Sequence, residues 1–429
     1  MVGLLGELGD GWRYDGYVML SWSDARYEVD SVLVSKLAQS VDVVASGSGF
    51  VCRNPLNGCV AAPAFSNDVV AGTNRPQAWF DFISDTVVGT TKYRETVANL
   101  TLDGPLFALW GGDLSAAVGV EYRKASIDDT PGPDSQANNL LALTSSSPTR
   151  GNDSVKEAFA ELEAPILADM PFAYRLTLNA SGRYTDYKSY GSQWTYKFGG
   201  LYAPTSWLSF RGSYGTSYRA PALFEQFLGA TSGFQQGTND VCNNYGARDP
   251  NSNRYKNCAS LGLPTTFNAT TGIQVNQQGG AETGLSAETS RAYTFGGVFE
   301  PKLGNLGTLS LGVDYFNLLV ENGVSQLSFS TILSQCYDSS PADFAAKADT
   351  CALITRGTTA PFGLVVKTGY VNISNAAVSG LDFTARYTVP LFNGRFRLNA
   401  AVTKFDDRYS QTLPTDVIRN VIGSVGNPE

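Results

Sequence analysis

Residues 192–227 read SQWTYKFGGLYAPTSWLSFRGSYGTSYRAPALFEQF. Trp194, Tyr196, Phe198, Gly200 and Tyr202 alternate with Thr195, Lys197, Gly199 and Leu201. Ala203-Pro204-Thr205-Ser206 breaks the run, and a second alternation sets Leu208, Phe210, Gly212 and Tyr214 against Ser209, Arg211, Ser213 and Gly215. A period of two is strand geometry, and the break reads as a hairpin turn. An apolar face backed by a polar one suits a soluble sheet with one wet side, and equally a barrel with lipid outside and water inside.

The same pattern recurs on both sides of this stretch. Trp12 to Trp22 alternates, and Ser23-Asp24-Ala25 reads as a tight turn into a second strand at 27–32. Further strands are expected near 90–103, 111–127, 154–164, 173–187, 193–203, 208–219, 288–300, 307–321, 376–389 and 394–405, about twelve in all. Short helices are expected at 35–45, with Leu37, Val41 and Val44 on one stripe, and at 342–354 after Ser340-Pro341. The connections alternate between short and mostly long, as in up-and-down membrane barrels, whereas a β-sandwich has no reason to sort its loops this way.

Charge is sorted as well. The apolar faces, such as Leu176, Leu178, Ala180 and Tyr184, or Phe396, Leu398, Ala400 and Val402, carry none. Glu121, Arg123, Arg183, Lys197, Arg211 and Arg397 fall on the opposite faces and are expected to line a water-filled lumen. A lysine or arginine at the lipid midplane costs about 2–4 kcal/mol, so such sorting is expected where one face meets hydrocarbon. Trp12, Trp22, Trp194, Tyr202, Trp207 and Tyr218 near strand ends would form interfacial girdles.

Composition narrows the function. Histidine is absent, which removes serine–histidine triads, cysteine–histidine pairs and histidine metal sites. The net charge of −8 comes without a basic block, so nucleic acid is not an expected partner. Mean hydropathy is −0.12 and no apolar run reaches helix-spanning length. Six cysteines pair locally as Cys52 with Cys59, Cys242 with Cys258 and Cys336 with Cys351, all in the long-loop set, which points to disulfides and an oxidising compartment. Glu157, Glu161 and Glu163 share a strand face, an arrangement compatible with paired hydrolytic carboxylates, but a hydrated lining is the expected role. Neither an enzyme nor a resident cofactor or metal is expected.

Several segments, in order, resemble TonB-dependent outer-membrane receptors. Tyr214-Gly215-Thr216-Ser217-Tyr218-Arg219-Ala220-Pro221 with Leu223 and Glu225 resembles that family's "SFRAPs..EL" segment. Residues 117–123 resemble its "aaGvEYR" strand, 155–162 its "vkEaYaEl" strand, Arg183–Tyr187 followed by Lys197-Phe198-Gly199 its "RYsdY…t.K.g", and Asn375-Ala376 through Ser379-Gly380-Leu381-Asp382 its "N.a.a...GlEl". The resemblance implies an all-β, antiparallel up-and-down transmembrane barrel in the bacterial outer membrane, with short periplasmic turns and long extracellular loops. It implies energy-dependent uptake of a scarce solute of the siderophore, haem, cobalamin or saccharide class, with membrane lipid, a small nutrient and the TonB complex as partners. The family's barrel has 22 strands around an amino-terminal plug, so residues 1–429 are expected to form part of a barrel, without plug, TonB box, signal sequence or closing strands.

Within this frame Tyr218, Arg219, Ala220, Pro221 and Glu225 are expected to make a structural strand-to-loop corner, with Arg219 paired to Glu225 or another loop acid. Gln235, Asn239, Asn244, Tyr245, Arg248 and Tyr255 supply amides, phenols and a cation for ligand capture from the loop at 220–287. Three other readings remain open at this stage: a plugless porin with Arg183 and Arg211 at its constriction, a receptor fragment without function, and a secreted sheet-rich carbohydrate-binding or hydrolytic protein.

Overall fold

The computed structural model describes residues 1–64, 72, 75–141, 146–280, 284–411, 418 and 420–423. Its strands are β1 (Val2–Gly9), β2 (Trp12–Val32), β3 (Val43–Ser46), β4 (Gly49–Cys52), β5 (Ser84–Leu109), β6 (Gly112–Thr130), β7 (Thr149–Met170), β8 (Ala173–Tyr187) and β9 (Gly191–Thr205). They continue as β10 (Leu208–Arg219), β11 (Thr231–Gln235), β12 (Ile273–Gln278), β13 (Glu288–Phe299), β14 (Thr308–Gln326), β15 (Ile354–Arg356), β16 (Leu364–Leu391) and β17 (Gly394–Gln411). Twelve of them, β1, β2, β5 to β10, β13, β14, β16 and β17, follow one another as an antiparallel meander. This wall belongs to a 15-stranded sheet that also takes in β11, β12 and β15, while β3 and β4 pair separately.

The strand number agrees with the alternation, but the membership differs. Residues 23–25 make no turn: Ser23, Asp24 and Ala25 pair with Tyr93, Lys92 and Thr91 inside one continuous β2. The outer face of β2 changes from Trp22 to Asp24, Arg26, Glu28 and Asp30 without a break in pairing, so the apparent turn is a change of surroundings along one strand. The missing twelfth strand is β1, whose two faces, Val2, Leu4, Gly6 and Leu8 against Gly3, Leu5 and Glu7, have almost no polarity contrast. The expected helix at 35–45 is Val34–Val41, with Val44 already in β3. The one at 342–354 splits into Pro341–Ala346 and a 3-10 turn at Asp349–Leu353, because Lys347 turns left-handed with φ 51°.

Alternation gives the wall two unlike faces. Leu178, Phe210 and Leu398 stand on the outer one, 48%, 38% and 50% exposed. Arg183 and Arg211 stand on the inner one, paired to Glu157 and Asp314. From Trp12 to Trp22 the strand rises about 34 Å, or about 26 Å once tilted by ~40°, close to the ~25 Å apolar band of a transmembrane barrel. The upper edge of this belt carries neighbouring rings: Tyr184 with Trp194 (5.1 Å), Tyr196 with Tyr214 (6.1 Å) and Tyr293 with Tyr315 (6.0 Å). At the opposite edge Trp110, Phe172 and Phe392 stand exposed in two-residue turns.

The largest dry core is not in the wall. Cys242, Tyr245, Cys258, Leu263, Phe267, Ile273, Ile332, Leu333, Cys336, Tyr337, Cys351 and Val366 are packed together in the long connections, forming a cap. Two disulfides, Cys242–Cys258 and Cys336–Cys351, lie inside it, and the third, Cys52–Cys59, closes the tip beyond β4.

Candidate functional site

Segment 220–280 builds the mouth. Pro221 ends β10, since it has no N–H to offer the ladder. The chain then turns inward through a helix at Leu223–Phe227, whose Phe227 ring lies over Gly151; a Cβ there would come within 2.1 Å of the ring. Gln226, 3% exposed, donates to the carbonyl of Pro221 (2.8 Å) and to Asp153 (3.4 Å). Arg219 holds this corner by donating to Glu225 (3.0 Å) and to both oxygens of Glu288 (2.6 Å each). Glu225 in turn accepts the Ala222 N–H (2.7 Å), and Glu288 accepts the Val324 N–H (2.6 Å). The Arg219 guanidinium holds the Glu288 carboxyl below the usual carboxylate range.

Beyond the helix the segment becomes a strap. Gly229 N–H donates to Thr149 Oγ1 (2.9 Å), Ser147 N–H donates to the Ala230 carbonyl (2.8 Å), and Ser146 bridges Thr231. β11 pairs with β12, and β12 runs parallel to β16 from Ile273↔Leu364 to Gln278↔Gly369. Along the wall, β7 and β16 are separated by β8, β9, β10, β13 and β14, about 29 Å at ~4.8 Å per step. Through the strap the same gap takes three steps, about 14 Å. The wall is therefore curved, and the strap crosses the hollow of the curve.

A recess of about 460 Å³ opens beside the strap. Thr231, Ser232, Gln274, Asn276, Gln278, Lys367 and Thr368 line it, with Asn138 and Ser147 from the β6–β7 connection and Ile332 and Leu353 from the cap. Among the described residues its lining offers amides, hydroxyls and one ammonium, with no carboxylate, beside the apolar side chains of Leu327, Ile332, Leu353 and Val371. Such a site hydrogen-bonds a polar solute and gives a bare cation nothing to neutralise it.

The loop residues singled out from sequence do not line this recess. Gln235, Asn239, Asn244 and Arg248 are exposed on the cap. Tyr245 is only 2% exposed and donates to the Leu263 carbonyl (2.7 Å), with Tyr255 packed edge-on at 5.3 Å, so both rings serve the cap core. The recess residues on β12 carried a signal of their own: Ile273 and Val275 alternate with Gln274, Asn276 and Gln278 inside what reads as one long loop.

Beneath the cap, Arg356 and Asp240 form a pair only 4% and 1% exposed, joined at 2.7 and 2.8 Å. Arg356 also donates to the Tyr337 hydroxyl (2.9 Å), and burial pushes that phenol up. On the inner wall Glu121 accepts from Asn99 (3.4 Å), Arg123 donates to Tyr187 (3.2 Å), and Arg183 donates to Glu157 (2.9 Å) with its guanidinium 4.8 Å from the Phe159 ring. Lys197 lines a second recess with Glu161, Glu163 and Ser181 toward the short-turn end, while Arg397 stands exposed on β17.

A family model described as TonB dependent receptor-like, beta-barrel matches residues 9–427. The chain belongs to this family. Among solved TonB-dependent receptors, a variant of the ferric enterobactin receptor PfeA of Pseudomonas aeruginosa is similar with a TM-score of 0.51 and 16% identity, over 94% of this chain and 42% of that one. The siderophore receptor PirA of Acinetobacter baumannii gives 0.49 and 12%, over 95% and 45%. The chain thus spans less than half the length of these receptors, and at such identities the likeness concerns the fold. No curated protein matches the sequence.

Proposed function

We propose that the chain supplies wall and mouth to a bacterial outer-membrane receptor that takes up a scarce polar solute with energy delivered through TonB. The observation that carries this reading is the strap: a recess that sets amides, hydroxyls and one ammonium against apolar side chains, with no carboxylate among the described residues, stands at the mouth of a curved wall whose outer face is apolar between two edges marked by aromatic rings. Solute meets the exposed Gln235, Asn239, Asn244 and Arg248 first, then the amides of β12 and Lys367. The solved relative named as a ferric enterobactin receptor makes ferric siderophores such as ferric enterobactin the first solutes to test.

The test is uptake of radiolabelled ferric siderophores by cells producing the full reading frame and no other receptor, with and without an uncoupler. Accumulation that stops when the proton-motive force collapses, with the protein in the outer-membrane fraction, is the expected result. Solute entry and ion conduction that persist under the uncoupler would instead make it a passive pore.

A further inference from the structure

The outer face of the wall is not smooth. A furrow of about 610 Å³ runs over β1, β2, β5 and β6, lined by Leu4, Gly16, Val18, Leu100, Val120 and Tyr122. It exists because β2 has no side chain at Gly16: Leu100 leans into that gap, and a Cβ there would stand 3.2 Å from Leu100 Cδ1. The furrow's walls are exposed, Leu4 by 73% and Val120 by 54%.

Its upper end is basic. Val18 pairs with Ala98, Ala98 with Tyr122 and Tyr122 with Lys156, so Lys156 extends the furrow's top row. Lys124 is the next outward-facing residue after Tyr122. It pairs with Ser154, which makes it a diagonal neighbour of Lys156, about 7–8 Å away. Both lysines are exposed, and among the described residues neither is in an ion pair, although Asp186 stands in register with Lys156. The cations next to them are neutralised: Arg94 by Asp24 (2.7 Å) and Arg150 by Asp128 (2.9 Å).

We propose that this furrow holds a membrane lipid whose headgroup is a net-anionic phosphate without a compensating cation, its acyl chain along Gly16, Leu100 and Val120 and its phosphate between Lys124 and Lys156. The inference rests on the reading that the outer face meets lipid. Unpaired lysines directly above an apolar groove complement an anionic amphiphile in both charge and polarity.

The full chain in a neutral detergent is offered dioleoyl phosphatidic acid, dioleoyl phosphatidylcholine or inorganic phosphate, and retained molecules are counted by native mass spectrometry. The expected result is about tenfold preference for phosphatidic acid over phosphatidylcholine, with no displacement by millimolar inorganic phosphate. Lys124→Gln/Lys156→Gln should abolish the preference, and Val120→Trp, which fills the groove from its rim, should abolish retention of both lipids. Equal retention by the native chain, a preference that survives loss of both lysines, or displacement by inorganic phosphate would each overturn the assignment. A chain that enters micelles without preference overturns this inference alone; one that stays soluble without detergent overturns the membrane reading too.

Discussion

Arg211 on β10 reaches across β13 to Asp314 on β14, donating through Nε (2.7 Å) and Nη2 (2.6 Å) to both carboxylate oxygens. The reach is possible because the intervening residue is Gly296, where a Cβ would stand 2.1 Å from Asp314 Oδ1 and 2.5 Å from the Val313 carbonyl. The ion pair itself is half-open to water, so its loss in Asp314→Asn costs at most about 1 kcal/mol. Gly296→Val collides with backbone as well as with the carboxylate, and an overpacked site costs about 1–3 kcal/mol. Unfolding in detergent, followed by tryptophan fluorescence, should rank Gly296→Val as clearly the more damaging. Equal midpoints would mean that the glycine gap is incidental.

The Arg356–Asp240 pair poses the opposite case, because it is dry. Arg356→Met leaves Asp240 buried without a counter-charge, a loss of about 3–5 kcal/mol, whereas Arg356→Met combined with Asp240→Leu removes the charge along with its partner and should be milder. The cap should become protease-sensitive in the single variant while the wall stays intact. A double variant as sensitive as the single one would argue against this account.

The sequence carried the wall well and the mouth poorly, for a physical reason. Wherever one face is apolar and the other wet, as at Leu176–Tyr184 or Phe396–Val402, alternation reports the strand directly. It misleads where the surroundings of a face change along a strand: β2 keeps pairing past Trp22 while its outer residues become Asp24, Arg26, Glu28 and Asp30. It is silent in β1, where Val2, Leu4 and Leu5 make both faces apolar. The strap depends on β12 meeting β16 across a long separation in the chain, and no local pattern encodes that pairing. The corner at Arg219 and Glu225 was legible as local chemistry, but its second acid, Glu288, lies on another strand.

Acid should loosen that corner. Arg219 holds the Glu288 carboxyl below its ordinary value, so the folded state binds this proton less readily than the unfolded chain does. The contribution is therefore fully present above the unfolded carboxylate range near pH ~4.3 and is lost as pH falls through the lower folded value. Pepsin, offered the Leu223-Phe224 bond, should begin to cut the native chain only well below pH ~4. Glu288→Gln should be cut with no pH dependence beyond that of pepsin itself. A native chain cut in the same ratio to Glu288→Gln at every pH from ~2 to ~4.5 would remove the pair from this role.

The three disulfides should differ under reductant according to access. Cys242 and Cys258 are fully buried, and Cys336 and Cys351 are 2% and 4% exposed, whereas Cys59 is partly open beyond β4. A thiolate must reach a sulfur in order to exchange, so Cys52–Cys59 should be reduced first and the two cap bridges only as the cap opens. Each cap bridge closes a segment with a separation of 15 or 16 residues, for which about 3 kcal/mol of stabilisation is expected. Replacing Cys242 and Cys258 by serine should lower the denaturant midpoint of the cap while tryptophan signals from the wall are unchanged. Thiol trapping at timed intervals reads the order. Simultaneous appearance of all six thiols would show that the cap core shields nothing, and that its two bridges are as open to solvent as the one at the tip.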